Sequence, residues 1–274
     1  MKLLEGRVGL VVGIANERSY AWYIAKSLIE HGATCAFTHL PGEKNERRTR
    51  RAVEALGLTS EPWLHPLDAG SDAQTDEAFA KYAERFERMH FLVHSIAFAD
   101  RDWLQMGKFH QTPRQAYLSA IDISAYSLVA MAHRAVPIMA RSLGPAPAEK
   151  DTPAPTASIM AMSYYGAEKV VPGYNVMGVA KAALECTGRY LAAELGAQRI
   201  RVNLISGGYL RTLASSAVAG TDSMGDRTVE RAPLRRNVTG EDVGKTAVYL
   251  ASELSSGVTG ETVYVDCGVN TIGV

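Results

Sequence analysis

The segment "RVGLVVGIANERSYAWYIAKSLIEHGATCAFTH", Arg7 to His39, decides the fold. "RVGLVVG" (7–13) is a short apolar run closed by glycine, the pattern of a strand buried on both faces. "SYAWYIAKSLIEHGA" (19–33) carries Ile24, Leu28 and Ile29 at helical spacing and ends at Gly32. "ATCAFTH" (33–39) reads as a second strand. A helix between two adjacent strands makes a β-α-β unit, whose strands run parallel.

The alternation continues. "EKNERRTRRAVEAL" (43–56) is a charged helix, "PWLHPLD" (62–68) a weaker strand, and a helix follows from about Ser71 to Arg88. "HFLVHSIAF" (90–98) is the next strand, with helical patterns across 113–142. "TASIMAMS" (156–163) precedes a long helix over "GYNVMGVAKAALECTGRYLAAEL" (173–195). "IRVNLIS" (200–206) and "ETVYVD" (261–266) complete about seven strands. This order predicts an α/β fold: a doubly wound, Rossmann-type parallel sheet with helices on both faces. The proline-rich "GPAPAEKDTPAPT" (144–156) falls between a helix and a strand, so it reads as a surface loop and residues 1–274 as a single domain.

Composition narrows the function. Lys+Arg and Asp+Glu both number 29, which gives no field for nucleic acid or an anionic membrane. Cys35, Cys186 and Cys267 are odd in number, far apart and without metal-ligand spacing, as in a reducing compartment. "MKLLEGRVGLVVG" is too short an apolar run to span a bilayer and carries no cleavage signal. The expectation is a soluble cytoplasmic protein.

In such a sheet a nucleotide sits beyond the carboxyl ends of the strands, its phosphates at the first helix N-terminus. There the chain reads "VVGIANERSYAW", with Gly13 the one glycine and Ala15, Ser19 and Ala21 as further small residues. Ser19 can cap the helix or offer its hydroxyl to a phosphate. No acid ends the second strand. His39 there is either a ribose partner or a surface histidine, and Arg47, Arg48, Arg50 and Arg51 form either a 2′-phosphate site or a solvated helix face. NADH is the expected cofactor, with NADPH not excluded. Asp68 is placed either to accept the adenine amino group or to cap a helix. Ser95, Ile96 and Ala97 end the fourth strand with room for ribose and nicotinamide. His90 and His94, four apart in a strand, would not converge on a metal, and no metal site is expected.

The reactive pair is in "PGYNVMGVAK" (172–181). A tyrosine four residues before a lysine is the usual pattern for nicotinamide-dependent carbonyl reduction, but that place is held by Met177. Tyr174 stands seven before Lys181, which on a helix leaves the two about 20° apart around the axis, against about 40° for a spacing of four. Both spacings present phenol and ammonium on one face, and Tyr174, after Pro172 and Gly173, falls in the first turn. Delivery of hydride to a β-carbon creates an enolate whose oxygen a hydroxyl can stabilise, while a lysine can hold the ribose. The bland alternative is a capping aromatic and a solvated charge. "YGAEK" offers Tyr165 and Lys169 at the four-residue spacing, but Gly166 and Pro172 interrupt a helix there. Tyr164, at the end of a strand, is the more relevant neighbour.

With these residues in view, the chain resembles the bacterial NADH-dependent enoyl-acyl-carrier-protein reductases, a divergent branch of the short-chain dehydrogenases/reductases. The resemblance covers nearly the whole chain: "GIANERSYAWYIA", "FLVHSIAFA", "DISAYSLVAMA", "SYYGAEKVVPGYNVMGVAKAALE", "IRVNLISGG", "LRTLA" and "TGETVYVDCG". That branch has tyrosine, six residues, then lysine, and a second tyrosine ten before the first; Tyr164, Tyr174 and Lys181 match all three. The resemblance implies that Tyr174 bonds the thioester carbonyl and its enolate, that Lys181 holds the nicotinamide ribose, and that Tyr164 lines the acyl pocket and assists protonation. It implies cofactor contacts at Gly13, Ser19, Tyr20, Leu40, Asp68, Ala69, Ile96, Lys181 and Leu210 to Ala214, which includes Thr212 and Leu213, with Ala99 approaching the substrate. It also implies a homotetramer, and an acyl carrier protein as partner.

The chain departs from that pattern in places. Ala97 stands for a glycine, Tyr209 for a proline, and Leu40 for a polar residue. The expected substrate lid, at about 210–230, contains "ASSAVAGTDSMGDRT" (214–228), where Arg227 is the one basic residue against Asp222 and Asp226. That weakens steering of an acidic carrier and leaves carrier and coenzyme A thioesters open. The expectation is enoyl-thioester reduction in fatty acid elongation. The alternatives are a specialised enoyl or carbonyl substrate in a secondary pathway, or nucleotide binding without turnover.

Overall fold

The computed structural model describes residues 2–145, 154–210 and 224–273. Seven strands form one sheet: β1 (Val8–Val12), β2 (Thr34–His39), β3 (Leu64–Pro66), β4 (Phe91–His94), β5 (Ala157–Ser163), β6 (Ile200–Gly207) and β7 (Thr262–Val265). Their order is β3-β2-β1-β4-β5-β6-β7, and every pairing is parallel. β5 and β6, buried along their whole length, are the sheet's apolar centre.

Side-chain alternation along β1 sends Leu10 and Val12 to one face and Val11 to the other. The first face is covered by α3 (Asp72–Phe86), α5 (Ser127–Ala140) and α6 (Asn175–Leu195), the second by α1 (Tyr20–Glu30), α2 (Glu43–Glu54) and α8 (Gly240–Ala251). α4 (Arg114–Ile121) runs into α5 through a π-helical turn, Asp122–Tyr126. That continuous helix is long and apolar enough to cross a membrane, yet Leu128, Met131, Ala132, Ala135 and Met139 are core residues. The short α7 (Met224–Arg231) follows β6.

Sequence reasoning missed α8. Its start is a capping box, Thr239 accepting from the Asp242 amide while Asp242 accepts from the Thr239 amide. Gly240 and Gly244 look like breakers, but they let α8 press on α1: a β-carbon would fall 2.1 Å from the Tyr23 ring at one and 2.2 Å from Ser27 Oγ at the other.

The strand order reverses between β1 and β4. β1 continues to β2 on one side while β4 starts the other half, which opens a crevice beyond their carboxyl ends.

Candidate active site

The crevice begins at Gly13, directly after β1. Its φ of +104° is open to glycine, and a β-carbon there would lie 2.1 Å from the Ser95 carbonyl oxygen. The ends of β1 and β4 therefore approach through backbone alone, with Ala15, Ser95 and Ile96 half-buried around them and Ala97 exposed. Ser19 holds the cap position of α1, but its hydroxyl makes no capping bond and donates to the Asn16 carbonyl at 2.7 Å. The expected cap is absent, and no acid lies in the helix's first turn. Uncapped first-turn amides are what an anionic pyrophosphate needs. Tyr20 donates to the Gly208 carbonyl at 2.7 Å and joins this end of α1 to the residues after β6. Thr49 of α2, buried, donates to the Ile14 carbonyl at 3.0 Å and braces the same turn.

The other wing lies at the ends of β2 and β3. His39 is buried and its Nδ1 lies 3.0 Å from the Leu40 carbonyl, so the surface reading fails. Leu40 itself is 55 % exposed. Asp68 accepts from the Gly70 amide at 2.9 Å, and Ser71, not Asp68, caps α3. Asp68 and Ala69 are half-buried. Arg50 pairs with Glu46 at 2.9 Å, while Arg47, Arg48 and Arg51 are exposed. His90 and His94 turn to separate partners, the Val8 amide and Ser127.

At the ends of β5 and α6 stand the aromatic residues. The Tyr164 and Tyr174 rings are edge to face, centroids 5.0 Å apart at 73°. Tyr174 lies one residue before α6 instead of in its first turn, although its carbonyl accepts the Met177 amide at 3.0 Å. The helix starts late because Asn175 has a φ of 44°, a region asparagine tolerates. Its side-chain amide donates to the Trp103 and Gln105 carbonyls, both at 2.7 Å. Met177 is buried with Leu104, Val176 and Ala180, and Ala99 and Tyr174 pack on that cluster. The position that a four-residue spacing would give to tyrosine is therefore core. Tyr165 begins a 3₁₀ turn, Tyr165–Ala167, and Lys169 is exposed.

Lys181 is 5 % exposed. Its ammonium donates to the Met162 carbonyl at 2.7 Å and to the Ile96 carbonyl at 3.5 Å, which ties α6 to the ends of β5 and β4. Burial brings its pKa down to about 8, opposed by Glu185. Burial also pushes the Tyr174 and Tyr164 phenols above their ordinary value, so both remain hydrogen-bond donors. His94 is held down to about 3 by burial and then by Lys181. Ser127 gives its proton to the Ile123 carbonyl at 2.7 Å, so the 2.7 Å bond to His94 Nε2 is donated by a neutral imidazole.

Several supports had no sequence signal. Ser124, in the π-helical turn, accepts from the Phe98 amide at 3.0 Å and braces the loop after β4. Gly166 leaves room for both tyrosines: a β-carbon would be 2.7 Å from the Tyr174 ring and 3.1 Å from that of Tyr164. Gly178 admits the Gly166 carbonyl to 2.8 Å of its own β-carbon position. Gly166 was legible only as a helix breaker. Leu210 is half-buried three residues beyond β6, whereas Thr212, Leu213, Ala214 and most of the expected lid lie outside the described residues.

The Gly13 cradle, the uncapped α1 amides and a buried cation at the strand ends fit a dinucleotide. Comparison with known proteins agrees. A family model described as enoyl-(acyl carrier protein) reductase matches residues 13–270. The enoyl-[acyl-carrier-protein] reductase [NADH] FabI of a Synechocystis strain is 45 % identical over 99 % of both chains. The crystal structure of the Bacillus cereus reductase with NADP+ and an indole naphthyridinone is 42 % identical, covers 100 % of both chains and has a TM-score of 0.91. That of the Anaplasma phagocytophilum reductase with NAD is also 42 % identical, covers 99 % of this chain and 97 % of its own, and has a TM-score of 0.88. Agreement in sequence and in fold over this length has one meaning: the chain belongs to the enoyl-[acyl-carrier-protein] reductase family.

Proposed function

We propose that this chain, as one catalytic domain, reduces the trans-2 double bond of an enoyl thioester with NADH in fatty acid elongation. The observation that carries this reading is the edge-to-face Tyr164–Tyr174 pair at the strand ends where Lys181 is buried. NADH, when bound, supplies the hydride that the substrate's β-carbon receives. Gly13, Ala15, Ser19 and Tyr20 hold the phosphate end, Leu40, Asp68 and Ala69 the adenosine end, and Ser95, Ile96, Ala97 and Leu210 the nicotinamide end. Lys181 spends two of its ammonium hydrogens on backbone carbonyls, which leaves the third for the ribose. Tyr174 donates to the thioester oxygen as negative charge grows there. Tyr164 lines the acyl pocket and assists proton delivery to the α-carbon, and Ala99 approaches the substrate.

The test is loss of NADH absorbance with a crotonyl or longer enoyl thioester. Turnover of a 3-ketoacyl thioester instead would overturn the reading. Tyr174→Phe should slow reduction about 10²-fold with NADH affinity near normal; unchanged turnover removes Tyr174 from the mechanism. Lack of an acid at the end of β2 leaves NADPH usable, and paired KM values for the two cofactors measure the preference. The partner is an acyl carrier protein, the location cytoplasmic and the assembly a homotetramer, with neither nucleic acid nor membrane involved. Matched carrier-linked and coenzyme A-linked substrates, and the mass in solution, test the first and third.

A more specialised acyl substrate is favoured by one feature, the Tyr209 ring packed near Gly225 of α7, where a β-carbon would be 3.4 Å away. A chain-length series read with wild type and Tyr209→Pro decides it: a shifted length optimum supports a specificity role.

A further inference from the structure

Two α6 side chains of opposite sign, one turn apart, grip the same end of β5. Lys181 takes the Met162 carbonyl at 2.7 Å, and Glu185 takes the hydroxyl of the next residue, Ser163, at 2.6 Å. The residue after that is Tyr164, whose ring meets Tyr174. Glu185 is 4 % exposed and has no place in the reaction described above. A carboxylate buried this far is costly unless it bonds or balances something. Here it does both, accepting from Ser163 and lying four residues along the helix from a buried ammonium, outside ion-pair contact.

We propose that Glu185 is a positioning residue: through Ser163 it fixes Tyr164, and through its charge it keeps Lys181 protonated for the cofactor. The inference rests on the role given to Lys181 above. The groups facing the pair are His94 from β4, Glu168 after the 3₁₀ turn, Arg189 on α6 and Tyr264 on β7. His94 is neutral, and Glu168 and Arg189 act on Glu185 in opposite senses, which leaves Glu185 as the charge that favours the ammonium.

Glu185→Gln keeps an acceptor for Ser163 and removes the charge. It should move the basic limb of kcat/KM to lower pH by about one unit and weaken NADH binding in a fluorescence titration at pH 8, with little change at pH 6.5. Ser163→Ala keeps the charge and frees Tyr164; kcat should fall several-fold with the basic limb and the NADH Kd in place. Glu185→Asp, with the charge but a shorter reach, should restore the limb and not kcat. A Glu185→Gln protein that is folded and matches wild type in both limb and Kd overturns the inference. So does a set of variants that lower Tm alone. Lys181→Met is the control: intact NADH affinity there overturns the role of Lys181 and this inference with it. Weakened affinity there beside a wild-type-like Glu185→Gln overturns this inference alone.

Discussion

A buried cation stands at each end of the sheet's strands, and the two are treated differently. Arg201, at the start of β6, is 4 % exposed and has four acceptors: Thr156 Oγ1 and Ser255 Oγ at 2.9 Å, the Leu250 carbonyl at 2.8 Å and the Ser252 carbonyl at 3.3 Å. The Leu250 carbonyl belongs to the last turn of α8, where the helix dipole also favours a cation. Burial lowers the pKa of Arg201 only to about 10, so it stays charged at any working pH. Lys181, at the carboxyl ends of the strands, has one short bond and one long one, and a pKa of about 8. A cation with four of its five N–H donors on fixed protein acceptors holds a fold together. One left with a donor in hand, near its titration point, is available to a ligand.

The largest effect should separate the two by stability. Arg201→Met strips four acceptors of their donor and should cost about 3 kcal/mol or more in denaturant unfolding. Lys181→Met should leave stability within about 1 kcal/mol, because removing a poorly paired buried charge offsets the lost bonds. A large loss in both variants would erase the contrast. Activity should give the mirror image: Lys181→Met lowers kcat/KM by about 10²-fold, while the Arg201→Met protein that remains folded binds NADH normally in a fluorescence titration.

A smaller effect sharpens the site side. In Gly166→Ala a methyl meets the rings of both tyrosines, so kcat should fall about tenfold as their geometry shifts. Thermal unfolding should change less than kcat, since the 3₁₀ turn itself holds no fully buried residue; unchanged kcat would mean the rings are free to move apart.

The pH response follows from Lys181. Above about pH 8 the folded chain releases a proton that the unfolded chain keeps to about 10.5. Two trends result as pH rises through 8: NADH affinity falls, and stability gains from this group. Both should vanish in Lys181→Met, and neither should depend on Arg201. The smallest effect is at acid pH. His94 stays neutral in the fold down to about 3, whereas unfolded histidine takes a proton near 6.5. Its contribution to stability is whole above 6.5 and is lost as pH falls toward 3, by at most one proton's slope. His94→Asn should flatten the acid limb of an unfolding series by that amount.

The strands were legible because buried parallel strands are written as short apolar runs, and "RVGLVVG" and "TASIMAMS" are of that kind. Tyr174 and Lys181 were legible through their seven-residue spacing, although Tyr174 caps α6 and does not lie within it. What escaped notice depends on contacts distant in sequence. α8 hides its continuity behind two glycines that exist for α1, and Asp68 lost its capping role to Ser71 only once the helix start was built. Ser19 looked like a cap, but Asn16 took its hydroxyl.

By itself the sequence determined the α/β alternation, the family and the tyrosine–lysine spacing on which the proposed chemistry rests, since these lie in local periodicity and short spacing. Tertiary structure alone decided what surrounds them. It buried Lys181 between carbonyls of β5 and of the loop after β4, turned Asn175 against that same loop, set two tyrosine rings over a glycine, and drew Glu185 to Ser163. The physical reason is that desolvation and hydrogen-bond geometry belong to neighbours in space, and those neighbours are assembled only when the sheet and α6 meet.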